Sequence, residues 1–567
     1  MKAGATSVRL RDVIGWARPI MGPDRSFYTL AIIYGAGIGL LSLATPISVQ
    51  MLINSVANTA LPVPLFTLAG ILFALLMFSA TLSAFRAHLM EVFRQRFFAR
   101  LVAEITLRAV HARNPFFTDA RTGDLFNRYF EVMNIQKSVP SLLIGLFTII
   151  LQSVVGFVVT SFYHPFFLFF NVIFVTLVWL IWRVWSRGAM TTQVELSHAK
   201  YDAAHWLESV GASDGFYKSG RHIDFAIAKS EAMTAKYIDA YRRHFRYSYS
   251  QTVAFLVLYA LASAGLLALG GWLIIQGQLS IGQLVAAELI LSSVFYGVSQ
   301  LGPYLDTFYD LVAALEELGL LYDIPQETPG LDASYVDSGG DLAFAGVKVG
   351  DVRLECAIPS GAKLVAAADS ETQRLFALLL KRHRRPDRGF VMLGGADIGT
   401  LDIYQLRSDV IVLDRPTIVE SSIIDYLELS GVDQSSRDIM TVLKTVGLDR
   451  IIGRLPDGLD TILSSTGWPL ALHEVMRLKF ASALLAKPKI LVLSPLFELI
   501  PTQELDRMFD AMRATTTTTI YFTNRSSFAE LDGYLWLGNG DQRIIHDRAE
   551  FDALRTSIRE QANAVAR

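Results

Sequence analysis

The sequence predicts a polytopic α-helical membrane domain followed by a cytosolic α/β domain. Three observations carry that prediction. Long apolar runs are confined to residues 1–325, and basic residues fall on alternate connections between them. The remainder alternates short strand-like runs with amphipathic helical patterns. The average over all 567 residues conceals the division: 52% are hydrophobic and 18% charged, with 51 Lys+Arg against 53 Asp+Glu. Soluble globular proteins carry about 25% charge, so this chain is short of charge. That balance argues against disorder and against nucleic-acid binding through a basic field. A single cysteine, Cys356, leaves no internal disulfide framework and no cysteine-based zinc site.

Six stretches approach the ~20 apolar residues that cross a bilayer as a helix. They are Phe27–Met51, Leu65–Phe85, Val139–Tyr163, Pro165–Trp182, Thr252–Ile275 and Ile281–Leu301. Residues 1–26 form an amphipathic pattern with Trp16 and several arginines, read as a cytosolic interfacial elbow helix rather than a targeting peptide. The connections Leu52–Pro64, Ser161–His164 and Gln276–Ser280 contain no Lys or Arg. Arginines crowd instead into the N-terminal segment and into Arg86–Lys137 and Arg183–Arg246. By the positive-inside rule both termini are cytoplasmic. The two long inner stretches are too long and too periodic for loops; they read as helices continuing out of the bilayer.

Within that frame several motifs resemble one family. Asn114–Phe130, NPFFTDARTGDLFNRYF, is similar to the coupling-helix stretch of the exporter class of ABC half-transporters, and places Phe117, Gly123, Asp124 and Arg128 at the coupling positions. The opening of the sixth span, GQLSIGQLVAAELILSS, fits the same family. So do Arg385–Leu413 (RPDRGFVMLGGADIGTLDIYQLRSDVIVL), Arg454–Leu463 (RLPDGLDTIL) and Ser482–Leu493 (SALLAKPKILVL). The resemblance covers nearly all of the chain. It implies a transmembrane domain over 27–324, a linker over 325–340, an α/β P-loop-NTPase-like ABC domain over 341–550, and a C-terminal tail over 551–567.

At the catalytic positions the sequence departs from the family. A phosphate loop needs glycines so that backbone N–H groups converge on phosphate, a Lys on the β- and γ-phosphates, and a hydroxyl on Mg²⁺. The aligned segment reads AADSETQRLF. It puts Ala368, Glu371 and Gln373 at glycine positions, Arg374 at the lysine, and Leu375 and Phe376 at the hydroxyls. Asp369 and Glu371 place carboxylates where phosphate would lie, a repulsive arrangement at reduced dielectric. The strand expected to end in Asp-Glu ends in Ser494 and Pro495, and the position of the Mg²⁺-sensing glutamine is Asp414. The signature helix opens with Leu470, Ala471, Leu472, His473 and Glu474, and the switch histidine is Asn524. The strand before Gly350 reads as shortened, leaving no equivalent of the aromatic that stacks on adenine.

The resulting expectation is an ATPase-dead half-transporter that is not an enzyme and uses neither ATP nor Mg²⁺. It would sit in a bacterial inner membrane, surrounded by lipid, inside an export complex. Its partners would be a second copy or a different half-transporter, with a periplasmic adaptor and no nucleic acid. The alternatives are a non-transporting scaffold or regulator, and an ATP-independent or unconventional transporter. Glu288 is the one acidic residue inside an apolar helix, which marks it for the translocation pathway. It lies about 12 Å along the helix from the outer end, where a wet cavity would equally accommodate it. Trp182 and Trp185 suit interfacial anchoring. Thr515–Thr519 suits the entrance to a strand, and Cys356 a small buried site. His473 and Glu474 lack further ligands at metal spacing, so no metal is expected.

Overall fold

The computed structural model describes residues 8–59, 62–113, 124–327, 339–431, 435–525, 531–538 and 541–565. The chain forms two compact units, Met1–Gln326 and Glu327–Arg567.

The first unit is helical. Its helices are α1 (Leu10–Met21), α2 (Arg25–Leu41), α3 (Ala44–Thr59), α4 (Pro62–Val110), α5 (Glu131–Ser141), α6 (Phe147–Ser161), α7 (Pro165–Ala212), α8 (Gly220–Ile275), α9 (Ile281–Ser299) and α10 (Leu301–Tyr322). Among the described residues, six helical stretches are long and apolar enough to cross a membrane. Helices α4, α7 and α8 run for 49, 48 and 56 residues. At 1.5 Å per residue they reach about 70–85 Å, far beyond a hydrocarbon core of about 30 Å. The inner stretches are therefore helical extensions of the spans.

Local chemistry fixes the ends and the breaks. Pro165 opens α7 at a position whose N–H has no intrahelical partner. Ser280 and Gln283 cap α9 reciprocally: the Gln283 amide donates to Ser280 Oγ at 3.1 Å, and the Ser280 amide to Gln283 Oε1 at 3.0 Å. Pro140, inside α5, removes a backbone donor, and a π-helical turn, Leu142–Leu146, follows at once. The first span, read as continuous from the sequence, is broken between Leu41 and Ala44. There the Ser42 hydroxyl donates to the Gly39 carbonyl at 2.6 Å and competes with the helical ladder. The elbow α1 is tied to α4 by Arg100, whose guanidinium donates to buried Asp24 at 2.8 Å and to the Ile20 carbonyl at 2.6 Å. Helices α6 and α9 meet at Gly156, where a Cβ would lie 2.9 Å from Ile290.

The second unit is α/β. Strands β1 (Leu342–Val349), β2 (Val352–Ile358), β4 (Arg388–Leu393) and β5 (Ala396–Asp397) form an antiparallel sheet in the order β2-β1-β4-β5. A second sheet has the order β10-β9-β3-β8-β7-β6, with β3 (Lys363–Ala367), β6 (Val410–Leu413), β7 (Ile490–Leu493), β8 (Thr518–Phe522), β9 (Gly533–Leu537) and β10 (Gln542–Ile545). Its pairings are parallel except β10 on β9. Every residue of β3, β7, β8 and β9 is buried, as a parallel sheet covered on both faces requires. The helices are α11 (Ser370–Leu380), α12 (Ile403–Asp409), α13 (Ile423–Glu428), α14 (Ser436–Thr445), α15 (Leu472–Ala486), α16 (Thr502–Arg513) and α17 (Arg548–Val565).

Two expectations from the sequence meet their structure here. The threonine run does enter a strand, and its hydroxyls are consumed: Thr517 donates to the Pro488 carbonyl at 2.7 Å and Thr518 to Gly340 at 2.6 Å. The strand before Gly350 is not curtailed. It is the eight-residue β1, which absorbs an irregularity between Phe344 and Val347 as a bulge. Gly389, opposite that bulge, has φ +79° and faces the Gly346 carbonyl, 2.3 Å from where a Cβ would be. Gly389→Ala is expected to destabilise the full chain by about 3 kcal/mol. Chemical denaturation should show it as an earlier transition of the α/β unit, and an unchanged midpoint would refute the clash.

Candidate functional site

The turn from β3 to α11 carries the positions aligned with a phosphate loop. Asp369 caps α11: one carboxylate oxygen accepts from the amides of Glu371 and Thr372, both at 2.9 Å. Its other oxygen accepts from the Thr372 hydroxyl at 2.7 Å. Gln373 donates its side-chain amide to the Ala368 carbonyl at 2.7 Å. The first turn of α11 is thus satisfied by the chain itself, as N-caps do. Ala368 is buried, Glu371 and Arg374 are exposed, and Leu375 is half-buried. Phe376 is fully buried, with ring centroids 4.9 Å from Phe344 and 5.5 Å from Phe522. A hydroxyl position has become core packing.

The neighbouring positions are also committed to local bonds. Asp414, after β6, forms an ion pair with Lys381 at the end of α11, at 2.6 Å. Lys479 on α15 donates to the carbonyls of Arg415 and Thr417 at 2.7 and 2.9 Å, and its burial pulls the ammonium below the usual lysine range. Ser494 follows β7 as the cap of a 3-10 turn beginning at Pro495. The carboxylate that serves this region is Glu498, which sequence reading missed. It accepts from the Thr523 hydroxyl at 2.8 Å and from the Asn524 amide, and so joins the end of β7 to the end of β8. Its only sequence signal was an acidic residue four positions beyond the aligned site.

Leu470 is buried at the start of the signature region, while Ala471 and Leu472 are exposed. Glu474 Oε2 accepts from the Ala471 amide at 2.7 Å and closes the first turn of α15. His473 is half-buried beside it. The α/β unit therefore brings the aligned segments to the ends of β3, β6, β7 and β8, but each is internally capped.

In the membrane unit, Phe117 and Gly123 lie outside the described residues. Asp124 opens a 3-10 turn, Asp124–Phe130. Arg128 in that turn donates Nε to fully buried Glu317 on α10 at 2.6 Å, and the Ser197 hydroxyl donates to the other Glu317 oxygen at 3.0 Å. Burial raises the Glu317 carboxyl above its usual range, and Arg128 offsets only part of that rise. His198, Glu316 and Glu317 lie close enough to hold a metal ion, with ligand atoms within 4.8 Å. Both Glu317 oxygens are already bonded to Arg128 and Ser197, and no metal is assigned to them. Glu288, half-buried on α9, accepts from the Ser292 hydroxyl at 2.7 Å through Oε1, while buried Oε2 has no partner among the described residues.

Residues 28–298 match the family described as the ABC transporter transmembrane region. One solved structure, a bacterial Atm1-family ABC exporter with ATP bound, matches 96% of this chain and 98% of its own, with a TM-score of 0.79 and 19% identity. The chain has the fold of an ABC exporter. Relatives of this exporter-fold chain include the cyclolysin secretion/processing ATP-binding protein CyaB of Bordetella pertussis, 21% identical over 505 residues, which are 87% of this chain and 70% of that protein. Another is the alpha-hemolysin translocation ATP-binding protein HlyB of Escherichia coli, 26% identical over 235 residues, 40% of this chain and 33% of that protein.

These relatives overturn two expectations. The reading of a non-enzyme that uses neither ATP nor Mg²⁺ stands against relatives named as ATP-binding proteins and an exporter of the same fold with ATP bound. It is corrected accordingly. The reason it failed is that it was drawn from the residue types at the aligned motif positions of this one chain alone. In this exporter-fold chain the amides opening α11 are occupied by Asp369, and β7 ends at Ser494 and Pro495. With two amides at the opening of α11 held by Asp369, no chemical step is assigned to these side chains. The coupling turn yields a structural prediction. Arg128→Ala strands a buried carboxylate, and should lower the stability of the full chain by about 3–5 kcal/mol. A thermal midpoint matching the parent would show that the pair contributes nothing.

Proposed function

We propose that this chain is one half of an exporter-type ABC transporter, embedded in a bacterial inner membrane with both termini cytoplasmic. It works as a dimer, with a second copy or with a different half, and the assembled transporter uses ATP to move cargo outward. The observation that carries this reading is the exporter fold across 96% of the chain, with six spans that continue into long helical extensions. The secretion and translocation functions named for CyaB and HlyB support export, and export across an envelope supports a periplasmic adaptor as partner. Lipid surrounds the apolar belt formed by side chains such as Phe73, Phe169 and Val172, all strongly exposed in the isolated chain. Glu288 is assigned to the cargo route, because a carboxylate oxygen buried without a partner inside a span is costly and marks function.

The test isolates the assembly from its native membrane through a tag on this chain and reconstitutes it in inside-out vesicles. ATP hydrolysis that saturates with substrate is expected, with ATP-dependent uptake of cargo. Glu288→Gln should cut uptake at least tenfold while leaving hydrolysis within twofold. Absence of hydrolysis from the intact assembly would refute the proposal, and undiminished uptake would remove Glu288 from the route.

A further inference from the structure

On the inner side of the spans, α5, α7, α8 and α10 enclose a cavity of about 380 Å³, within the about 300–1,000 Å³ typical of small-ligand sites. Its walls are of two kinds. One is a ladder of rings on α8. Tyr237, Tyr241, Phe245 and Tyr249 recur every four residues and so share one helix face. Successive ring centroids are 6.5, 6.5 and 5.4 Å apart, with interplanar angles of 28°, 7° and 26°. The first three rungs line the cavity, and Tyr241 and Phe245 are each 52% exposed. Large rings held in a stack and left open to solvent are surfaces awaiting an occupant.

The other wall is built of acceptors. Glu131 is neutralised by Lys200 and also accepts from Tyr201 at 2.7 Å. Asp306 accepts from the Ser248 hydroxyl and Asp310 from the Gln193 amide, neither donor a cation. Asp310 is pushed up to about 6, by burial first and then by Asp306 and Glu131. Among the described lining residues Lys200 is the single Lys or Arg, and Glu131 already holds it. His244, only 9% exposed, faces the Ala189 carbonyl through Nδ1 at 3.2 Å. The Thr192 hydroxyl also lies 3.2 Å from Nδ1 and itself donates to the Gly188 carbonyl at 2.9 Å, so both neighbours of Nδ1 stand as acceptors, which assigns the proton to Nδ1 and leaves Nε2 an acceptor of the neutral ring. No hydrogen bond to Nε2 occurs among the described residues. Gln193 adds a second acceptor, a buried Oε1 without a partner.

We propose that this cavity binds a ligand with a protonated amine on an apolar or aromatic body, its ammonium held by Asp306, Asp310 and His244 Nε2 and its body laid on Tyr237, Tyr241 and Phe245. An ammonium supplies the donors and the positive charge that the acceptor wall lacks, and ring faces attract cations. An anion would meet Asp306 and Asp310, neither ion-paired among the described residues, with the one lining cation, Lys200, held by Glu131. That the ligand is cargo rests on the exporter reading; that it binds does not.

Calorimetric titration of the purified full chain in detergent at pH 7.5 tests the site with three probes of one size: phenethylammonium, neutral 3-phenylpropan-1-ol and anionic phenylacetate. Phenethylammonium is expected to bind at least tenfold more tightly than the alcohol, and phenylacetate not to bind. The double variant Asp306→Asn, Asp310→Asn should lose at least tenfold in affinity. Tyr241→Ala should lose a similar factor, while Tyr241→Phe keeps parental affinity. Should the double variant misfold, the Tyr241 pair decides, because that half-exposed ring is not part of the core. Equal affinity for ammonium and alcohol, or parental affinity in Tyr241→Ala, would overturn the site. Binding without ATP-driven transport counts against the exporter reading alone, and transport without ammonium binding against the cavity alone.

Discussion

The constraint on which the membrane unit depends is the absence of water from hydrocarbon. Every backbone N–H and C=O at that depth must be paired within the protein, and helices do this within each segment. Once six apolar segments are committed to helices, the easiest way to leave the bilayer is to keep the ladder going. Helices α4, α7 and α8 do so, running for 49, 48 and 56 residues. Where the ladder is interrupted, a side chain or a proline accounts for it: Ser42 between α2 and α3, and Pro140 before the π-helical turn. Outside the bilayer the same helices can carry charge, as Lys200 on α7 does in its pair with Glu131.

Much of the fold was legible in the sequence because apolar length and arginine placement act over whole segments. Among the described residues the six spans lie where the apolar runs lie, while the Ser280–Gln283 cap that starts α9 came only with the structure. The breaks were less legible, since one serine or one proline shifts a ladder without changing the apolar average. In the α/β unit the strand at Ile490–Leu493 fell where alignment put it, while the helix expected to open with Leu470 begins at Leu472. The bulge in β1 did not, because it depends on Gly346 and Gly389 meeting across strands.

The candidate site shows where linear reading stops. Alignment with the family pattern put Ala368, Glu371 and Gln373 at glycine positions. It could not reveal that Asp369 already satisfies the amides of α11, or that Phe376 has joined the core. Nor did it point to Glu498, whose carboxylate ties β7 to β8. The step from altered motif positions to absent ATP was the weak one. Those positions describe one chain, whereas relatives of this chain are named for ATP binding and a structure of the same fold holds ATP. The aromatic ladder of α8 was likewise invisible as a site, because four-residue spacing of rings is equally a core pattern until exposure separates the two.

The proposed topology sets the short connections on one side of the membrane and the long helical extensions on the other, and site-directed labelling reads that placement directly. In a Cys356→Ser background, single cysteines would replace Gln278, in the turn between α8 and α9, and Ser219, at the tip between α7 and α8. Both positions are exposed. In cells whose outer barrier admits the reagent, a membrane-impermeant maleimide should label Gln278→Cys while the inner membrane is intact, and Ser219→Cys only after that membrane is permeabilised. Labelling of Ser219→Cys in intact cells, with Gln278→Cys protected, would contradict the account.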